Sequence, residues 1–175
     1  NTIVDALLEI SRRPFDWNGS ALRAIPQNER MVLITAHRRE SFGEPFRELC
    51  HAIRELAARF VNIRFIYPVH LNPNVRRPVG DILSGLKNVH LIEPLDYSAL
   101  VHLMKRSQLI LTDSGGIQEE APTFGVPVLV MRDTTERPEG VEVGIAKLVG
   151  TRRESIVAEA GKVLSEERSG AGRKS

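Results

Sequence analysis

Leu109-Ile110-Leu111-Thr112-Asp113-Ser114-Gly115-Gly116-Ile117-Gln118-Glu119-Glu120 is an apolar run that breaks at Ser-Gly-Gly into a helical pattern. Strand, glycine break, helix is the repeating unit of a parallel α/β sheet, and the break falls at the C-terminal end of the strand. There the N–H groups of a first helical turn have no partner within the helix, and a residue without a Cβ lets the backbone approach a ligand. Ser114, Gly115 and Gly116 therefore read as an anion cradle, with phosphate as its natural guest. Four residues beyond Gly116, Glu120 shares the same helix face and leans back toward the N-terminus, which puts a carboxylate where a sugar diol would lie. Diphosphate plus ribose makes a nucleotide. The same residues also fit a capped helix start with solvated acids, and spacing alone leaves both readings open.

The alternation recurs along the chain. Residues 31–35 form a short apolar run, after which Phe46, Leu49, Cys50, Ile53, Leu56, Ala57 and Phe60 fall at helical spacing over 46–60. Runs at 63–69, 89–92 and 109–111 are followed by helical patterns at 75–83, 98–105 and 117–124. A run at 126–131 leads into a loop, and one at 147–149 into a helix over 154–164. Strands this short and this uniformly apolar are buried on both faces, so the fold class is α/β, a doubly wound, Rossmann-like parallel sheet with right-handed crossovers. Residues 1–30 read as an N-terminal helix and a surface-packed linker with Trp17 as its anchor, 31–165 as the ligand-binding domain, and 166–175 as a charged, disordered tail.

A chain of 175 residues, 42% of them hydrophobic, is long enough for one domain with a sizeable core. Its 24 basic and 22 acidic residues are interspersed, and the net charge of +2 points to neither a nucleic-acid partner nor a membrane surface. The lone Cys50, on an apolar helical face, argues for a reducing compartment, and no metal-ligand spacing is present. With no apolar run of membrane-span length and no signal-peptide order, the expected location is cytoplasmic. The chain begins at Asn1 in an amphipathic pattern whose apolar stripe needs a surface to cover, which suggests a fragment of a longer protein.

Polar loops at 36–44, 70–74, 112–116 and 132–140 occupy the strand ends and should converge on one cleft. In His37-Arg38-Arg39-Glu40, guanidinium groups suit phosphate, and the imidazole suits donation to a leaving phosphate oxygen; either arginine could equally pair with Glu40. Pro68-Val69-His70-Leu71-Asn72-Pro73 is either a ligand contact through His70 or a turn in which Asn72 starts the next helix. In Thr134-Thr135-Glu136-Arg137-Pro138-Glu139-Gly140, Glu136 and Arg137 are the candidate contacts, with an internal salt-bridge network as the alternative. His51, His90 and His102 fall inside elements and read as structural.

Taken together, Thr35-Ala36-His37-Arg38-Arg39-Glu40-Ser41-Phe42-Gly43, the Pro68–Pro73 run, Asp113-Ser114-Gly115-Gly116-Ile117-Gln118-Glu119-Glu120 and the 134–140 loop resemble the bacterial non-hydrolysing UDP-N-acetylglucosamine 2-epimerases. The resemblance runs from residue 1 to about 165 and covers the C-terminal half of a two-domain, glycosyltransferase-B-type fold. It implies inversion at C2 of UDP-N-acetylglucosamine to give UDP-N-acetylmannosamine, by elimination of UDP and its re-addition, with no cofactor and no metal. It also implies His37 as the catalytic histidine, with Arg38, Ser114, Gly115, Gly116, Glu120 and Arg137 on UDP. His70 and Glu136 would be allosteric or substrate contacts. The proton-transfer carboxylates would lie in an N-terminal domain that this chain lacks, so the chain alone should be inactive; the full-length protein should be a homodimer serving cell-envelope polysaccharide synthesis.

Three positions depart from the family pattern. Ala36 stands for a glycine, and Val143 and Ile145 stand for alanine and threonine, so Ile145 loses a hydroxyl; the sequence after 164 also falls short of the family's closing helix. A stand-alone UDP-sugar-binding module and a glycosyltransferase of the same fold are the alternatives. The His-Arg-Arg-Glu and Thr-Glu-Arg-Pro-Glu runs favour the epimerase.

Overall fold

Six parallel strands in the order β3-β2-β1-β4-β5-β6 form the central sheet of the computed structural model, which describes residues 2–133 and 146–169. The strands are β1 (Met31–Thr35), β2 (Arg64–Pro68), β3 (Val89–Ile92), β4 (Leu109–Thr112), β5 (Val128–Val130) and β6 (Ala146–Leu148). In β1 the side chains alternate between two cores, Val32 and Ile34 on one face and Met31 and Leu33 on the other, all without solvent exposure. That two-sided burial is why the strands read as unbroken apolar runs rather than as alternating ones.

Helices α2 (Glu44–Arg59), α3 (Pro73–Leu83) and α6 (Arg153–Ser169) cover the face that contains Phe46, Ile53, Phe65, Tyr67 and Ile156. Helices α1 (Thr2–Arg12), α4 (Tyr97–Arg106) and α5 (Gly115–Glu120) cover the other, with Leu7, Met104 and Ile117. The 11–30 segment contributes to this second core through buried Leu22 and Ile25, and Trp17 does fasten it, donating its indole N–H to the Ile25 carbonyl at 2.9 Å.

Caps explain where the helices start. Asn72 accepts the Asn74 N–H at 2.9 Å ahead of Pro73 in α3, and Asp96 accepts the Ala99 N–H at 2.8 Å ahead of α4. Two helices differ from the sequence-based expectation. The one expected over 117–124 starts earlier, at Gly115, because Ser114 caps it, and its second half is a 3₁₀ turn (Ala121–Phe124) closed by Gly125 at φ 70°. The last helix runs past 164 to Ser169, so the tail expected from 166 begins inside a helix; residues 170–175 lie outside the described residues.

β1 pairs with β2 on one side (Leu33 with Ile66) and with β4 on the other (Leu33 with Ile110). The strand order thus reverses between β1 and β4. In doubly wound sheets ligands bind in the crevice that this reversal opens at the carboxyl ends of the strands.

Candidate functional site

A cleft of about 290 Å³ opens there. Thr35 and His37 reach it from the end of β1, Pro68 and His70 from β2, and Ser114, Gly116 and Glu120 from the β4–α5 junction. An apolar wall of Pro94, Leu95, Leu100 and Ile117 completes the lining. Five residues expected at the site, His37, His70, Ser114, Gly116 and Glu120, are therefore brought together, although the chain supplies them from three separate loops.

The two imidazoles are neighbours. His37 and His70 stack with ring centroids 5.2 Å apart and planes inclined by 28°. The Nδ1 of His70 accepts the Asn72 N–H at 3.1 Å, which fixes the ring from the helix side.

The His37 loop is held from beneath by Asp113. One oxygen of its carboxylate, Oδ2, accepts the backbone N–H of His37 at 2.9 Å and that of Arg38 at 2.8 Å, and its own N–H donates to the Thr35 carbonyl at 3.0 Å. Asp113 is fully buried, and its other oxygen, Oδ1, has no hydrogen-bond partner among the described residues. Burial pushes its carboxyl above the ordinary aspartate range, although the Arg38 N–H and the neighbouring His37 pull in the opposite direction. The Tyr67 hydroxyl donates to the Ala36 carbonyl at 2.6 Å, and the Thr35 and Thr112 hydroxyls meet at 2.6 Å across the β1–β4 pair. The Ser114 N–H donates to that Thr112 hydroxyl at 2.9 Å. One mesh thus fixes both loops that face each other across the cleft.

Ser114 accepts the Ile117 N–H only at 3.4 Å, so its hydroxyl is loosely engaged by the helix it caps. Neither Gly115 nor Gly116 has a positive φ, so no turn requires a glycine at either position. At Gly116 an added Cβ would touch Ser114 Oγ at 3.8 Å and Glu120 Oε1 at 4.0 Å, both ordinary contacts. There is room for a methyl there, and the space it would fill belongs to the cleft. Glu120 faces this space, and its Oε2 accepts the hydroxyl of Tyr97, the first residue of α4. Glu119 is exposed and does not line the cleft.

Arg38 is placed differently from the expectation. Its Nε and Nη2 bind Glu40 Oε2 at 2.7 and 2.6 Å, which holds the Glu40 carboxyl below the usual range, and it does not line the cleft. The structural alternative for that arginine, a pair with Glu40, is the one present. Glu136, Arg137, Val143 and Ile145 lie outside the described residues. His102 stacks on Phe15 with centroids 4.6 Å apart, and His51 and His90 do not line the cleft. Cys50 is buried and its thiol is pushed up to about 12 by burial. Among the described residues no cluster of three His, Cys, Asp or Glu side chains could hold a metal ion, and no helix is long and apolar enough to cross a membrane.

Sequence reasoning passed over Asp113, Tyr67 and Tyr97. A signal existed for Asp113, a charged residue directly after a strand buried on both faces, where a carboxylate needs partners. Tyr97 carried no such signal, because a tyrosine after a capping aspartate reads as an ordinary first helical residue.

Compared with known proteins, the chain matches the family described as UDP-N-acetylglucosamine 2-epimerase over residues 1–175. A probable UDP-N-acetylglucosamine 2-epimerase of Ralstonia solanacearum is 51% identical over 175 residues, 95% of this chain and 46% of that protein. The crystal structure of the Neisseria meningitidis UDP-GlcNAc 2-epimerase bound to UDP-GlcNAc superposes with a TM-score of 0.85 at 44% identity, over 96% of this chain and 47% of that one. The Methanocaldococcus jannaschii enzyme in complex with UDP-GlcNAc and UDP gives 0.78 at 34% identity, over 96% and 48%. The chain spans about half the length of the curated relatives it matches.

Proposed function

The chain belongs to the UDP-N-acetylglucosamine 2-epimerase family, and from that membership we propose that it is the nucleotide-holding half of an enzyme that interconverts UDP-N-acetylglucosamine and UDP-N-acetylmannosamine. The observation that carries the proposal is the meeting of His37, His70, Ser114, Gly116 and Glu120 in one cleft at the sheet's switch point. The α5 first turn and the Ser114 hydroxyl receive the diphosphate, Glu120 receives the ribose diol, and the apolar wall of Pro94, Leu95 and Leu100 suits a flat base. Gly115 sits in that same first turn, and Arg137 and Glu136 complete the proposed contacts.

In the reaction, loss of the C2 proton and of UDP from C1 leaves a C1=C2 double bond in the sugar. UDP then returns to C1 while a proton is added to the opposite face of C2. His37 stands where charge grows on the departing phosphate, and a donor aimed at developing charge stabilises the transition state more than the ground state. Among the described residues Glu120 is the one carboxylate that lines the cleft, and the ribose engages it. The groups that exchange the C2 proton are assigned, as the family resemblance implies, to the part of the relatives' length that this chain does not span, and His70 serves a contact beside the departing group or at an allosteric site. No redox cofactor enters this route, and a cytoplasmic location fits a nucleotide-sugar substrate.

Calorimetric titration of the 175-residue chain with UDP, paired with an assay for UDP-N-acetylmannosamine, tests the proposal. Weak saturable binding without turnover is expected. Product formed by the chain alone would overturn the division of labour, and no saturable binding at millimolar UDP would overturn the nucleotide site.

A further inference from the structure

We propose that Tyr97 is a positioning residue for nucleotide recognition, holding the Glu120 carboxylate so that one oxygen is bound to the phenol and the other is turned to the sugar hydroxyls. The inference rests on the reading that Glu120 meets the ribose. Its geometric basis is the way the two oxygens of Glu120 divide. Oε2 accepts the Tyr97 hydroxyl, whereas Oε1 lies 4.0 Å from where a Cβ on Gly116 would stand, at the edge of the cradle.

The phenol is offered from a fixed base. Tyr97 opens α4, whose start is set by the Asp96 cap and whose Ala99, Val101, Leu103 and Met104 are buried in the core. Glu120, by contrast, sits where α5 gives way to a 3₁₀ turn, on a side chain with three rotatable bonds and only part of its surface covered. A carboxylate so placed samples several rotamers unless something holds it, and ordering it on binding would weaken the complex. Packing does not account for Tyr97 itself, because 43% of it is exposed. Burial of the hydroxyl, followed by the Glu120 hydrogen bond, pushes the phenol up to about 12, so it remains a donor at any physiological pH.

A packing role and a positioning role differ in which ligand notices the change. Tyr97→Phe keeps the ring and removes the hydroxyl alone. Titrating UDP and 2′,3′-dideoxy-UDP into the wild-type chain, Tyr97→Phe and Glu120→Gln separates them. The wild type should prefer UDP. In Tyr97→Phe, UDP binding should weaken about three- to tenfold, the range set by re-ordering one long side chain. Binding of the dideoxy analogue should change less than about twofold, because that ligand never meets the carboxylate. Adding Tyr97→Phe to Glu120→Gln should produce no further loss specific to the hydroxyls, since the two residues act as one unit.

An equal loss for both ligands, an undiminished preference for UDP, or tighter UDP binding in Tyr97→Phe would each overturn the role of Tyr97. A wild type that binds both ligands equally, or neither, would instead overturn the assignment of Glu120 to the ribose. The two failures are thus distinct. Thermal melting of each variant completes the test, because a positioning hydroxyl on an exposed ring should leave the melting temperature nearly unchanged.

Discussion

Replacing Asp113 by alanine should cost stability that its asparagine counterpart largely keeps. The Asp113 carboxylate accepts the N–H groups of His37 and Arg38 at 2.9 and 2.8 Å, both through Oδ2. Leaving a buried donor unpaired costs about 1–3 kcal/mol. Both bonds are only part-buried, so water recovers some of that, and deletion also removes a carboxylate that is itself buried, with Oδ1 unpartnered among the described residues. The net loss for Asp113→Ala is about 1.5–3 kcal/mol, which at about 2–4 °C per kcal/mol for a domain of this size lowers the melting temperature by about 3–12 °C. Asp113→Asn preserves the volume and one acceptor oxygen in the place of Oδ2, so it should stay within about 1 kcal/mol of the wild type.

The pH dependence carries the same logic with a definite sign. Burial raises the Asp113 carboxyl in the native state, so the native protein binds that proton more tightly than the unfolded chain does. Between the unfolded value of about 3.9 and the raised native value, the contribution of this residue to stability falls as pH rises. Asparagine has no such term. The asparagine variant should therefore gain on the wild type as pH climbs through that window. Chemical denaturation of all three proteins at several pH values measures both effects, and the mechanism is wrong if alanine and asparagine melt together or if asparagine loses ground as pH rises.

Three further outcomes follow from the cleft. Gly116→Ala should leave stability unchanged or raise it by up to about 1 kcal/mol, because the new methyl meets only ordinary contacts in a helical turn, yet it should weaken UDP binding by filling the cradle; a loss of stability would show that the glycine serves the fold, and calorimetry with melting reads both. Glu120→Ala should weaken UDP binding by about ten- to a hundredfold, as for hydrogen bonds to a charged group, and Glu119→Ala should do little, so equal losses would misplace the helix face. His37→Ala, in a full-length epimerase carrying this sequence, should lower turnover far more than it weakens substrate binding; a raised Kd with unchanged kcat would make His37 a binding residue only.

The sheet was legible because its central strands are buried on both faces and its helices on one, two patterns that the spacing of apolar residues separates. Gly115 and Gly116 misled the reading of α5: glycine is a poor helix former, so the periodicity begins at Ile117, whereas the Ser114 cap starts the turn two residues earlier. The cleft was legible where residue type and strand end coincide, as at His37, His70 and Ser114. Arg38 was ambiguous, because a guanidinium two residues from a carboxylate can serve either it or a ligand, and in the structure it serves Glu40.

Asp113 and Tyr97 were not legible for a different reason. The partners of Asp113 are backbone N–H groups 75 and 76 residues away in the chain, and they come within reach only because β4 lies beside β1. The partner of Tyr97 is 23 residues away, across the junction of α4 and α5. A side chain that binds substrate can be recognised by its chemistry and its place at a strand end, but one that holds such a residue is defined by adjacency, which the order of letters does not contain. Adjacency also places beneath the site a buried carboxylate, Asp113, whose second oxygen has no partner among the described residues. As scaffolding an amide would serve the two N–H bonds with less desolvation than does the Asp113 carboxylate. It sits under His37, whose positive charge, when present, is among the influences that pull the Asp113 carboxyl back down. An imidazole N–H at that position can donate to a departing phosphate.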